Sequence, residues 1–323
     1  MKPLASLVAV VALAIVAAAC GPSSGGLGTV PPLEPTPAPS APQGSPDLTP
    51  EPSGSPTPSN GPTTGPSTPP SAGPTATPSG TTIVRAYFFL NGKPGIAGLV
   101  GVLREVPETR AVATAAMHAL ITGPSAAERD GGISSAVPAG TQLLGLTIEN
   151  GVATVDLSSE FESGGGSASV LTRLGQVVYT LTQFPTVDSV LFRIEGRTVT
   201  VFSSEGVTLD GPVARSDYES LLPGIFVDRP VWGAAIGNPA RVAGLSNEFE
   251  ATFQITILDG SDRVLVDQMA MSTCGSGCYG TFDVTLGYDV GRAQWGTLRV
   301  WAASAMDGSP IDVRDYPVWL TPG

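Results

Sequence analysis

Apolar positions recur along this chain with two periods, and the periods change at identifiable places. Ile83 to Leu90 and Leu99 to Val106 are β-rich runs. Arg110 to Thr122 then places Val112, Ala116, Ala119 and Leu120 on one face at helical spacing, with Gly123-Pro124 as the stop. Leu143 to Ile148 and Val152 to Leu157 flank Asn150-Gly151, the strongest short hairpin signal. Ser167 to Gln183 is predicted helical, with Val170, Leu171, Leu174, Val177, Val178 and Leu181 as its stripe and Pro185 as its end. Ser189 to Ile194 and Thr198 to Phe202 are predicted to form a last hairpin around Glu195-Gly196. The order predicts an α+β domain over 82–218, two helices packed on a mixed sheet.

From 222 to 320 the pattern changes. Short strand-like runs recur with turn residues between them: Ile225 to Asp228, Arg241 to Leu245, Phe249 to Leu258, Arg263 to Met271, Thr281 to Leu286, Thr297 to Ala303 and Val313 to Leu320. Phe253, Ile255 and Ile257 alternate with polar positions, as do Leu298, Val300 and Ala302. Seven short strands in about 100 residues predict an all-β immunoglobulin-like sandwich.

The first eighty residues follow neither pattern. Met1-Lys2 is a positive start, and Leu4 to Ala19 is apolar except for Ser6, too short for the roughly 20 residues of a membrane-spanning helix. With Ala17-Ala18-Ala19 before Cys20, residues 1–19 have the three parts of an export signal. The stretch Val16-Ala-Ala-Ala-Cys20 resembles a bacterial lipobox, which implies a diacylglycerol on the Cys20 thiol and cleavage before it. The best lipoboxes carry Leu where Ala17 stands. Two acyl chains would anchor the protein firmly. Of 31 prolines, 18 lie between Gly21 and Gly80, a stretch with no Lys, Arg or aromatic residue. Such a composition cannot build a core, so 20–81 is expected to be a disordered tether. It would average about 45 Å as a flexible coil and reach about 190 Å as polyproline II.

Net charge is −12, which argues against nucleic acid as a partner. With Cys20 lipidated, Cys274 and Cys278 remain, in a Gly-rich loop between strands. In an exported protein a disulfide closing that loop is the leading reading. A zinc site would need two more soft ligands, and His118 is the only histidine.

Candidate chemistry is sparse. Asp156, Glu160 and Glu162 would pass for an acidic catalytic cluster, but they fall at a strand end and a loop, where solvated carboxylates are ordinary. His118 lies in a helix, and the chain has no G-x-S-x-G elbow. Gly164-Gly165-Gly166-Ser167 before a helix could cradle an anion, but no Lys follows, so a flexible connector is preferred. Glu248 and Glu250 would share one face of a regular strand, a spacing that invites a glycosidase reading; carboxylates that solubilise a sandwich edge are the plainer one. Asp259, Asp262, Asp307 and Asp312 could bind calcium, although turns favour Asp anyway. Trp232, Trp295, Trp301 and Trp319 are read as mostly core, with any exposed one marking a glycan or protein contact. No catalytic residue, metal ligand or cofactor is assigned, and the binding residues are left open.

Several separated motifs carry a resemblance. Ala119-Leu-Ile-Thr-Gly-Pro124, Ala136-Val-Pro-Ala-Gly-Thr141, Val152-Ala-Thr-Val-Asp-Leu157 and Thr180-Leu-Thr-Gln-Phe-Pro185 resemble the GerMN, or sporulation and spore germination, domain. Arg241-Val-Ala-Gly-Leu-Ser-Asn-Glu-Phe-Glu250, Gly280-Thr-Phe-Asp283 and Ser304-Ala-Met-Asp-Gly-Ser309 are similar to the Gmad-type immunoglobulin-like domain of spore germination proteins. The resemblance implies a non-catalytic interaction module. With the lipobox it predicts a lipoprotein on the extracytoplasmic face of the cell membrane, whose partners are envelope or membrane proteins. Self-association is a variant of that reading, and a cell-wall glycan binder is the alternative.

Overall fold

The computed structural model describes residues 80–93, 95–202 and 206–323. The expected signal segment, Cys20 and nearly all of the expected tether lie outside them.

The first domain opens with two ten-residue strands, β1 (Thr81–Leu90) and β2 (Gly98–Pro107), paired antiparallel from end to end. Helix α1 (Val112–Thr122) follows and ends at Gly123. It buries Ala113, Ala116, Met117 and Leu120, a face turned slightly from the predicted one, so Val112 and Ala119 are only partly covered. A short helix α2 (Ala126–Asp130) comes next, which the periodicity did not indicate. Its signal was a capping box: Ser125 accepts from the Glu128 amide and the Glu128 carboxylate accepts from the Ser125 amide. Strand β3 (Ile133–Ser134) then joins the end of β1, giving the order β2-β1-β3.

A second sheet has the order β4-β5-β6-β7. Strands β4 (Leu143–Glu149) and β5 (Val152–Leu157) form a hairpin whose turn uses Asn150 and Gly151 at positive φ. Helix α3 (Ser167–Leu181) carries the chain across to β6 (Ser189–Ile194), which lies parallel to β5, so the sheet is mixed. Leu171, predicted on the buried stripe of α3, is 37% exposed.

The last predicted hairpin is shorter than expected. Strand β7 (Arg197–Thr198) pairs with β6, but Val201–Phe202 (β8) leaves to pair with Val207–Thr208 (β9). The reason is packing. The Phe202 ring is fully buried edge-on against Phe161 at 5.5 Å and Phe192 at 6.5 Å, which an extended β6 partner could not reach.

A 3-10 segment, Arg215–Leu221, leads into the second domain. One sheet contains β10 (Ile225–Arg229), β12 (Ala240–Ser246) and β15 (Gly280–Leu286). The other runs β11-β17-β16-β13-β14: Ala235–Ile236, Pro310–Leu320, Gln294–Ala303, Thr252–Asp259 and Val264–Met271. The faces close on Phe253 and Phe282, ring centroids 4.8 Å apart. The short β11 adds an eighth strand to the predicted seven. The fold is an α+β domain followed by an immunoglobulin-like sandwich.

One strand begins later than predicted. Phe249–Ala251 is a 3-10 turn with Glu250 at φ 57° and Ala251 at φ 58°, and β13 starts only at Thr252. Left-handed φ values cannot continue a pleat. Glu248 and Glu250 therefore do not share a strand face.

Candidate interaction site

Polar residues on α3 finish the sheet of the first domain. Apart from Phe89 and Leu90, which pair with β3, this edge of β1 meets no strand among the described residues. Thr180 Oγ1 accepts from the Tyr87 amide at 3.0 Å. Gln183 accepts from the Arg85 amide at 2.8 Å and donates to the Arg85 carbonyl at 2.7 Å. Gln176 donates to the Tyr87 carbonyl at 3.0 Å and accepts from the Ala136 amide at 2.8 Å. Side chains thus do for the β1 edge what a neighbouring strand would do. That gives Thr180 to Gln183 a structural role.

The two domains are joined along a polar seam. The Asp228 carboxylate, on β10, accepts from Arg85 Nη1 at 3.1 Å and from the Tyr87 hydroxyl. Arg215 approaches it at 3.9 Å while lying over the rings of Tyr87 and Tyr179. Burial, and then the Asp228 charge, push the Tyr87 hydroxyl up to about 12. From the other side Arg314 of β17, 1% exposed, donates to the carbonyls of Ile96 and Leu99 at 2.6 and 2.9 Å. Trp232 adds a backbone bond to Gly101. Apolar side chains of both domains form one buried cluster.

The second domain leaves a groove of about 510 Å³ of mixed character, lined by the apolar Phe249, Met269 and Ile311 and by the carboxylates of Glu248 and Glu250. Phe249 is 67% exposed and Met269 59%. The turn that displaces β13 also lifts Phe249 out of the core. Exposed rings and flexible thioethers grouped in a concavity are features of protein-contact surfaces. Elsewhere on the five-stranded sheet, Trp295 is 55% exposed and meets Trp319 edge-on at 5.4 Å, while Trp301 Nε1 donates to Thr256. Trp232, Trp301 and Trp319 are partly buried.

The other candidate residues are dispersed. Asp156 accepts from the Gly196 amide at 2.9 Å, so it fastens the β6–β7 turn, while Glu160 stays exposed in the 3-10 segment Ser159–Glu162. His118 is exposed on α1. The glycine run before α3 is not a loose connector: Arg173, 1% exposed, donates to the carbonyls of Phe161, Ser163 and Gly164. A lone Arg in a helical stripe gave no hint of this. Asp259 accepts from the amides of Ser261 and Arg263, and Asp307 from that of Ser309. These are ordinary turn bonds, and the four aspartates do not converge. Cys274 and Cys278 form a disulfide with Cα atoms 5.9 Å apart. No helix among the described residues is long and apolar enough to cross a membrane.

Residues 85–200 match the family model for sporulation and spore germination, and residues 224–309 match that for the immunoglobulin-like domain of bacterial spore germination. The chain therefore carries one domain of each family, in the order its motifs indicated. Among solved structures it is similar to the first GerMN domain of the sporulation protein GerM from Bacillus subtilis. Identity is 21%, over 42% of this chain and 99% of that one, with a TM-score of 0.36. It is also similar to the tandem GerMN domains of the same protein, at 17% identity over 64% and 62% of the two chains, TM-score 0.36. No curated protein matches the sequence.

Proposed function

We propose that this chain is a lipid-anchored envelope protein whose two joined domains bind a partner protein and perform no chemistry. The observation that carries the reading is the groove in which Phe249, Met269 and Ile311 are exposed together, rimmed by Glu248 and Glu250. The lipobox ending in Cys20 supports an anchor on the extracytoplasmic face, and the Pro-rich stretch after it supports a tether. Confinement near the membrane would raise the effective concentration of the domains for partners there. The domain families support a setting in sporulation, germination or a related envelope complex.

The test is a crosslinking pull-down from intact cells, comparing the full-length chain with Phe249→Asp. Expected is one discrete envelope protein, recovered with the wild type and lost with the variant. Equal recovery with both would remove the groove from the reading. A second reading, a cell-wall glycan binder, is favoured by the exposed Trp295 ring beside Trp319. Recovery of wall fragments alone, abolished by Trp295→Ala, would select it.

A further inference from the structure

Phe249 stands in its groove because the backbone after it is bent, and the bend is held from outside. Glu250 and Ala251 lie at φ 57° and 58°, values that such residues keep only where their surroundings impose them. Strand alternation shows what the bend prevents. Phe253, Ile255 and Ile257 are buried in the sandwich. A pleat continued backward from Thr252 would turn Ala251 and Phe249 to that same buried face.

The loop closed by Cys274 and Cys278 supplies the constraint. The Gly275 backbone lies directly on the turn: a Cβ there would strike the Glu248 carbonyl and the amide and Cα of Ala251. On one flank of the loop the Ser272 amide donates to the Ala251 carbonyl at 2.9 Å, and the Ser272 hydroxyl donates to the Cys274 carbonyl at 2.6 Å. On the other flank the Gly277 amide donates to the Asn247 side chain at 2.7 Å. Both ends of the 247–251 segment are thus gripped, and the bridge fixes the spacing between the grips. The loop belongs to no helix or strand, and Ser276 and Gly277 are at φ 58° and 103°, so its shape depends on the covalent closure.

We propose that the Cys274–Cys278 bridge is the positioning device of the Phe249 groove: closed, it holds the ring out for a partner, and opened by a dithiol, it lets the turn relax and withdraws the ring. The inference rests on the groove being the contact surface. Both cysteines are half-buried beside the exposed Ser276 and Gly277, which leaves the sulfurs open to attack from that side. Opening is thiol–disulfide exchange. One thiolate of the dithiol attacks a bridge sulfur, and the other cysteine leaves as a thiolate and takes a proton. The second thiolate of the dithiol then attacks its own sulfur in the mixed disulfide and releases the first cysteine. The chain ends with two thiols, and the dithiol ends as a disulfide.

The experiment is hydrogen exchange on the full-length chain, oxidised and in dithiothreitol, repeated on the double variant Cys274→Ser/Cys278→Ser and on Gly275→Ala. The last keeps the bridge but pushes the loop off the turn. With the bridge open, exchange at the amides of Ala251, Ser272 and Gly277 should quicken about tenfold or more, while Thr252–Asp259 and Gly280–Leu286 keep their rates. Gly275→Ala should quicken the same amides without reductant. In the crosslinking pull-down, the double variant should lose the partner as Phe249→Asp does. The proposal is overturned if exchange in the turn ignores the bridge, or if the double variant recovers the partner while Phe249→Asp does not. Recovery by Phe249→Asp as well would remove the contact surface instead, and the exchange rates would still decide whether the bridge positions the turn.

Discussion

Asp228, on the first strand of the sandwich, receives Arg85 Nη1 of the first domain at 3.1 Å, across 143 positions of sequence. The same carboxylate takes the Tyr87 hydroxyl, and Arg215 closes the cluster over the Tyr87 ring. One acidic side chain thus gathers groups from β1 and the inter-domain 3-10 segment onto β10.

Asp228→Ala is expected to cost about 2–3 kcal/mol, because it takes an acceptor from Arg85 and from the buried Tyr87 hydroxyl and removes the negative charge facing Arg215. Urea denaturation measures it. A double cycle with Arg85→Ala should return a coupling of about 1 kcal/mol or more; strict additivity would mean the pair is not linked.

Arg314→Met tests the opposite end of the seam. Methionine fills the volume but donates nothing to the Ile96 and Leu99 carbonyls. The expected loss is about 2–3 kcal/mol. Hydrogen exchange should quicken first around residues 96–101, ahead of the sandwich core.

Alkaline pH should weaken the fold through Tyr87. An unfolded tyrosine ionises near 10, whereas the folded hydroxyl holds its proton to about 12. The stabilisation is complete below pH 10 and is lost as pH rises toward 12. Over that window the folded state binds the extra proton, a loss on the order of 2–3 kcal/mol. Burial pushes Tyr179 and Tyr218 up as well, adding to the slope. Tyr87→Phe should flatten the profile in a denaturant series from pH 9 to 12, and an unchanged slope would refute the assignment.

The Cys274–Cys278 bridge closes a loop four residues long by sequence separation. So small a loop restrains the unfolded chain little, and replacing both cysteines by serine should cost about 2 kcal/mol at most. Equal midpoints with and without reductant would place the bridge's effect below that.

Much of the architecture was legible because it is local. Asn150-Gly151 sets a hairpin through its own backbone preferences, and Pro185 ends a helix because it has no amide to give. Even α2, passed over by periodicity, was written in Ser125 and Glu128. The start of β13 was not: nothing in Phe249-Glu250-Ala251 announces left-handed backbone at two non-glycine residues.

By itself the sequence determined the element types, the two-domain order and the family motifs, since helical spacing, strand alternation and turn chemistry act over a few residues. Only the tertiary structure decided that Thr180 and Gln183 complete a sheet, and that Arg173 organises a glycine loop. It alone decided that Asp228 and Arg314 fasten one domain to the other, and that Glu248 and Glu250 do not share a strand face. Each of these depends on a partner distant in sequence, or on how burial redirects a polar side chain. Such a partner exists only once the chain has packed.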